Sequence, residues 1–182
     1  MILLFACLFT SMTSFQTTFA KAHNLDFSIY YVAYTAAVIV SRFVLAGIVS
    51  RFDSRLVITA AVSVMALAVA SFLLVGSNAL TYGVASTFLG LAYGLALPSV
   101  QAQAVNVSGE AVRPRVLPIA GLLFQAAILG FPLIAGWLIA GSGYGVLFAV
   151  LVALALVQVG IGWWRFAAAG KANTPTSGVP PA

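Results

Sequence analysis

The residues that could do chemistry in this 182-residue chain are a few polar side chains set within long apolar stretches. Arg42 is the charged residue that lies well inside such a stretch, and a guanidinium there can bind an anionic or hydroxylated solute. The same charge can instead extend to the lipid headgroups or tether the ends of neighbouring helices. Arg42 precedes Arg51 by nine residues, which places it about 13 Å deeper along a helix.

Four further polar residues accompany Arg42. Tyr34 falls on the same side of a helix as Arg42. Gln101 and Gln125 carry amides that can hydrogen-bond a solute, although such amides more commonly bridge membrane helices. Ser14 adds a hydroxyl in the first apolar stretch. These five residues are the candidates for a solute path.

Composition identifies the class of protein in which these residues act. Apolar residues make up 63% of the chain, charged residues make up 6%, and the mean hydropathy is +1.12. Soluble domains average about 45–50% apolar and about 25% charged residues. The sequence therefore predicts an all-α membrane protein. The net charge of +5 comes from basic residues that stand singly between apolar runs, which favours membrane orientation over nucleic-acid binding.

Six apolar runs are long enough to cross a bilayer as helices. Short connections join them, so consecutive helices are expected to pack antiparallel in a six-helix bundle. We expect one transmembrane domain over residues 1–167 and a disordered cytoplasmic tail over 168–182. The predicted spans, numbered first to sixth, are 1–20, 27–49, 56–75, 80–105, 116–139 and 144–166.

The positions of the basic residues predict the orientation. If the amino terminus is cytoplasmic, nearly all of them fall on the inner side and only Lys21 lies outside, as the positive-inside rule favours. Both termini are therefore predicted to face the cytoplasm, in the inner or plasma membrane. The inner group comprises Arg51, Arg55, Arg113, Arg115, Arg165 and Lys171.

Polar residues are unevenly distributed among the spans. The first, second, fourth and fifth spans carry most of them, whereas the third and sixth carry few. Polar groups in hydrocarbon usually face protein or water. The first, second, fourth and fifth spans are therefore expected to line a cavity, and the third and sixth spans are expected to face lipid. Tyr30 and Tyr31 have an alternative role as interfacial belt residues.

Small residues predict where helices come close together. Gly83, Ser86, Gly90 and Gly94 recur at helical spacing in the fourth span and allow another helix to approach. Pro98 is expected to bend that span. The fifth span carries a similar set, Gly130, Pro132 and Gly136.

The spans lack the groups that hydrolytic enzymes need. Asp26, Asp53 and Glu110 are the only acidic residues and all fall in connections, as does His23. Intramembrane proteases require a nucleophile with a base, or a metal with His and acidic ligands. Cys7 is the only cysteine, so it has no partner for an internal disulfide or a metal site. We expect no enzymatic activity, no cofactor and no metal.

The chain resembles the C-terminal half of a major facilitator superfamily transporter over nearly all of residues 1–167. The resemblance begins with a degenerate form of that family's loop signature, in which Arg42, Arg51 and Phe52 fit while Ala46 and Ser50 replace its glycine and aspartate. Later stretches are similar to the family's tenth to twelfth helices, and the overall character is similar to bacterial sugar and drug efflux permeases. These stretches are 90–98, 113–115 with Gly121, 130–136 and 143–148.

The resemblance implies a secondary carrier that moves a small organic solute by alternating access. It places Arg51, Asp53, Arg113 and Arg115 at an inner gate. A complete transporter of this kind has two six-helix halves, so a second half or a second copy of this chain is implied as partner. The alternative is a non-transporting membrane interaction or assembly protein, or a vestigial fragment.

Overall fold

The computed structural model describes residues 1–45, 47, 52–106 and 108–172, and within these residues every regular element is helical. The fold class is therefore all-α, as predicted. The helices are α1 (Ile2–Ser14), α2 (Gln16–Ala22), α3 (Phe27–Val40), α4 (Ser54–Ser71), α5 (Ala79–Asn106) and α6 (Arg113–Ala172). A π-helical turn over Ser41–Leu45 extends α3, and a 3₁₀ turn over Phe72–Leu74 extends α4.

Short polar caps start two of these helices. The Asp26 carboxylate accepts a hydrogen bond of 2.9 Å from the Ser28 backbone N–H at the start of α3. This bond and a second one from the Ser28 hydroxyl hold the pKa of the Asp26 carboxyl below its usual value. The Asn78 side chain accepts a bond of the same length from the Leu80 N–H at the start of α5. Side-chain oxygens thus satisfy N–H groups that a helix cannot pair internally.

Glycines of α5 bring it into close contact with α3. A Cβ on Gly90 would lie 2.5 Å from the Tyr34 carbonyl oxygen, and one on Gly94 would overlap the Ser41 side chain. Near the start of α5, a Cβ on Gly83 would lie 3.4 Å from the Ile29 side chain. These contacts confirm the close approach predicted for this glycine series. Both residue numbers increase together along the contact, so α3 and α5 run parallel.

The long helix α6 is broken at Gly143, whose φ of 80° lies in the left-handed region. The break divides α6 into a first arm, 113–142, and a second arm, 144–172. The first arm runs parallel to α1: Val116 lines a cleft with Met1, and the Thr10 hydroxyl donates to the Ile128 carbonyl at 3.4 Å.

The second arm runs in the opposite direction. Tyr144 packs on Phe19 with ring centroids 5.5 Å apart, whereas Arg165, near the other end of the arm, donates to the Met1 sulfur at 3.9 Å. Val116 and Arg165 therefore lie at the same end of the bundle. The chain reverses its direction at Gly143.

By length and composition, four helices could span a membrane, or five if the bent pair α1 and α2 counts as one span. This is compatible with a membrane protein. The first predicted span is not one straight helix, because α1 and α2 meet at Phe15 at an angle of 49°. Pro98 lies within α5, which is continuous from Ala79 to Asn106.

Three details differ from the sequence predictions. The third span was expected to face lipid, but 56% of the window 56–74 is buried in the protein, so less than half of it is available for that contact. Its apolar side chains pack instead against α5 and the second arm of α6. Residues 168–172 continue α6 beyond the predicted transmembrane domain, while 173–182 lie outside the described residues. A Cβ on Gly130 would meet no neighbouring atom within 4 Å, so the fifth span makes no close glycine contact there.

The contact at Gly90 yields a stability prediction. Gly90→Val should lower the free energy of unfolding by about 1–3 kcal/mol, because the new side chain meets a backbone carbonyl that cannot move aside. Thermal unfolding of the purified protein in detergent, followed by circular dichroism, measures the change. Gly130→Val is the matched control and should unfold within a few degrees of the wild type. Equal losses in the two variants would contradict the proposed contact.

Candidate functional site

Four aromatic rings from four different helical segments meet in one group, which we call the aromatic patch: Phe9, Tyr34, Tyr93 and Phe124. Tyr93 of α5 is its centre, with ring centroids 4.5 Å from Phe9 of α1 and 5.9 Å from Tyr34 of α3. Phe124 of the first arm of α6 lies 5.9 Å from Phe9. Tyr93 is buried and the other three rings are half-buried, so part of the patch is open.

These rings come from the first, second, fourth and fifth predicted spans. They are the same four spans whose polar residues led us to expect a cavity. The α3–α5 contact explains half of this arrangement, because Gly90 and Gly94 bring Tyr34 and Tyr93 together across it. The parallel packing of α1 on the first arm of α6 supplies the other half.

Arg42 lies beside the patch, in the π-helical turn that follows α3, and its side chain is exposed. Its charge acts on the hydroxyls of both Tyr34 and Tyr93. It makes no hydrogen bond or ion pair with any residue in the described part of the chain. Single π-helical turns within α-helices are frequent at functional sites. The structure thus brings together two of the five predicted path residues, Tyr34 and Arg42.

The other three predicted path residues are not part of the patch. Ser14 is exposed where α1 ends, and Gln125 is exposed on the first arm of α6 next to Phe124. Gln101 is half-buried near the end of α5 and forms no hydrogen bond with the described residues. None of the three has a contact that assigns it a role, and for these residues the path remains a prediction.

The predicted inner-gate residues are only partly visible. Arg51 lies outside the described residues. Asp53 is exposed just before α4 and takes part in an interaction. Arg113 and Arg115 are exposed at the start of α6, where the Arg113 Nε donates to the Ser108 carbonyl at 3.3 Å.

A buried hydrogen bond that the sequence did not reveal joins α2 to α5. The Tyr82 hydroxyl donates to the Gln16 side-chain oxygen at 2.9 Å, and both residues are almost fully buried. Gln16 begins α2 just after the break at Phe15. The Tyr31 hydroxyl donates to the Thr13 carbonyl at 2.8 Å on the preceding turn. Both bonds join the broken first span to its neighbours.

Tyr30 is also inside the protein, with no exposed surface, so its alternative role as an interfacial residue is wrong. Its ring stacks on Tyr34 at 5.6 Å and lies 6.2 Å from Tyr82, so it connects the aromatic patch to the buried hydrogen bond. The Tyr30 hydroxyl, the Ser11 hydroxyl and the Gln158 amide are buried without a hydrogen-bond partner among the described residues. The tyrosines Tyr30, Tyr31 and Tyr34 of α3 are a sequence pattern that could have indicated a packing role for Tyr30. No sequence pattern pairs Gln16 with Tyr82.

Potential metal ligands do not cluster: within the described ranges, no three His, Cys, Asp or Glu residues come together. Cys7 is buried and belongs to no such group among these residues. Comparison with known proteins adds no further identification, since no family model and no curated protein matches the chain.

The Gln16–Tyr82 bond is open to a direct test. Tyr82→Phe should destabilise the protein by about 1–3 kcal/mol, because the buried Gln16 amide loses its partner. The melting temperature in detergent reports the change. Tyr144→Phe is the matched control: it keeps the edge contact with Phe19 and removes a hydroxyl that has no hydrogen bond within the described chain. A Tyr82→Phe variant as stable as Tyr144→Phe would show that the bond contributes nothing.

Proposed function

We propose that the chain is a secondary carrier, or half of one, that moves a small organic solute across the membrane along the face where the aromatic patch and Arg42 lie. The observation that carries this proposal is the convergence of four helical segments on one partly open aromatic surface, beside an arginine that has no ion-pair partner among the described residues. Intramembrane charges are costly, and they commonly mark solute or ion pathways.

The proposal includes six membrane crossings. The two arms of α6 run in opposite directions, and each exceeds the roughly 20 residues that one crossing needs. The other four crossings are the broken span formed by α1 and α2, α3 with its π-helical turn, α4, and α5. Together with the two arms of α6, they make six. Six crossings of this kind would match one half of the major facilitator fold that the sequence resembles.

The directions of the packed helix pairs support an inverted repeat of two three-helix units. If the first three crossings are superposed on the last three, α1 corresponds to α5, α3 to the first arm of α6, and α4 to the second arm. The pair formed by α1 and the first arm then corresponds to the pair formed by α5 and α3. Both pairs are parallel. The remaining pair, α4 and the second arm, maps onto itself and is antiparallel, since Gly162 packs on Thr59 while Phe148 packs on Phe72. Inverted repeats of this kind support alternating access in secondary transporters.

The path requires a wall opposite the patch, and a second six-helix half or a second copy of the chain would supply it. Only 17% of the window 27–44 is buried in the present fold, the lowest share of the four candidate spans. Large apolar residues remain exposed on α3 with its π-helical turn and on the first arm of α6. They include Val32, Ile39, Phe43, Leu129, Leu133 and Trp137.

The alternative is a membrane interaction or assembly protein that transports nothing. In that case the same apolar faces would contact lipid or a protein partner, and no water would reach the residues beside the patch. Water access therefore separates the two functions.

Single cysteines in a Cys7→Ser background test this access in native membranes. Ser14→Cys and Gln125→Cys should react with a membrane-impermeant maleimide roughly tenfold faster than Leu67→Cys, because only a hydrated thiol ionises. Leu67 is the control, since it is 71% exposed on the apolar outer face of α4. Equal, slow labelling at all three positions would contradict the carrier proposal and favour the interaction protein.

A further inference from the structure

We infer that the solute is a planar organic anion, an aromatic carboxylate in the simplest case, whose ring stacks in the aromatic patch and whose carboxylate pairs with Arg42. This inference rests on the proposed function and names the chemical class of its solute. It follows from the charge at the site, from the shape of its apolar part and from the polar groups nearby.

The charge at the site is positive and uncompensated within the described chain. The protein has three acidic residues, and each lies in a connection between apolar runs. Arg42 forms no ion pair with a described residue. A guanidinium in apolar surroundings gains most from a carboxylate, which accepts two parallel hydrogen bonds from it. An anionic solute would supply this partner, whereas a cationic solute would be repelled.

The apolar part of the site is a set of ring faces and edges. Phe9 and Tyr93 are nearly parallel, with an interplanar angle of 22°, while Tyr34 is tilted by 51° to Tyr93. Tyr93 is already stacked on Phe5 at 5.0 Å and on Phe9 at 4.5 Å, so a planar ligand ring would pack against the half-buried rings of Phe9, Tyr34 and Phe124. Aromatic groups prefer offset-stacked or edge-to-face neighbours. Flexible aliphatic anions would lack these contacts.

The polar groups beside the rings are few. Besides Arg42, these are the hydroxyls of Tyr34 and Tyr93 and the hydroxyl of Tyr30, whose ring stacks on Tyr34. A sugar would need hydrogen bonds for many hydroxyl groups, and an unpaired buried hydroxyl is costly. One charged group and one flat apolar body therefore match the site better than a carbohydrate does.

The test compares ligands that share a ring and differ in charge. The full chain is placed in phosphatidylcholine nanodiscs, and binding is measured by equilibrium dialysis against empty nanodiscs. The probes are 2-naphthoate, 2-naphthalenemethanol and 2-naphthyltrimethylammonium, with cyclohexanecarboxylate as the non-aromatic anion. We expect 2-naphthoate to bind about tenfold more tightly than each of the other three.

Variants assign the preference to named residues. Arg42→Gln should remove the tenfold preference for naphthoate over the neutral alcohol, and Arg42→Lys should retain only part of it, because an ammonium lacks the planar fork of donors. Tyr34→Leu should weaken naphthoate binding and leave cyclohexanecarboxylate unchanged. Arg165→Gln is the matched control, since Arg165 is an exposed arginine next to Met1 with no contact to the patch.

Several results would overturn the inference: equal affinity for naphthoate and the alcohol, tighter binding of the ammonium compound, or a preference that survives in Arg42→Gln. If Arg42→Gln fails to fold, the ligand series on the wild type decides alone. The outcome is separable from that of the carrier proposal. If positions 14 and 125 label fast but the protein shows no preference for naphthoate, the inferred solute class is refuted and the carrier proposal stands. If naphthoate binding depends on Arg42 but both positions label slowly, the carrier proposal is refuted and the anion site stands.

Discussion

The close contact between α3 and α5 is the interaction on which the rest of the structure depends. Because lipid tails are as apolar as the side chains, helices in a membrane gain little from apolar burial and associate mainly through close packing. Gly90 and Gly94 permit that packing against Tyr34 and Ser41. The contact fixes two parallel helices at one register, and that register places Tyr34 beside Tyr93. Without it, Tyr34 would be separated from the rest of the aromatic patch.

A second constraint comes from the cost of polar groups in hydrocarbon. Backbone groups there must be paired internally, and the described chain, which forms only helices and short turns, meets this requirement. The same cost applies to side chains. Gln16 and Tyr82 satisfy each other, and Tyr31 bonds to the backbone of α1. Arg42 is a charged residue without such a partner in the described chain, and an exception of this kind is where function is expected.

The sequence predicted the local features well and the long-range ones poorly. The glycine spacing in the fourth span depends on helix geometry alone, and the contact with α3 confirmed it. The apolar runs predicted the helices, but not the break at Phe15 or the continuation of α6 to Ala172. The Gln16–Tyr82 bond joins residues 66 positions apart, so no local pattern could reveal it. The low polar content of the third span indicated contact with lipid. Tight packing against other helices gives the same composition, so composition alone could not predict that about half of α4 is buried.

The central claim, that four helical segments converge on one surface, can be measured by cross-linking in the membrane. Phe9→Cys and Phe124→Cys are combined in the Cys7→Ser chain, with a protease site inserted between Ser108 and Arg113, and treated with a short bifunctional thiol reagent. The account predicts that the two fragments stay joined after cleavage, because these rings lie 5.9 Å apart. The pair Leu67→Cys and Phe124→Cys should separate. Fragments that separate in both proteins, or join only between different chains, would contradict the account.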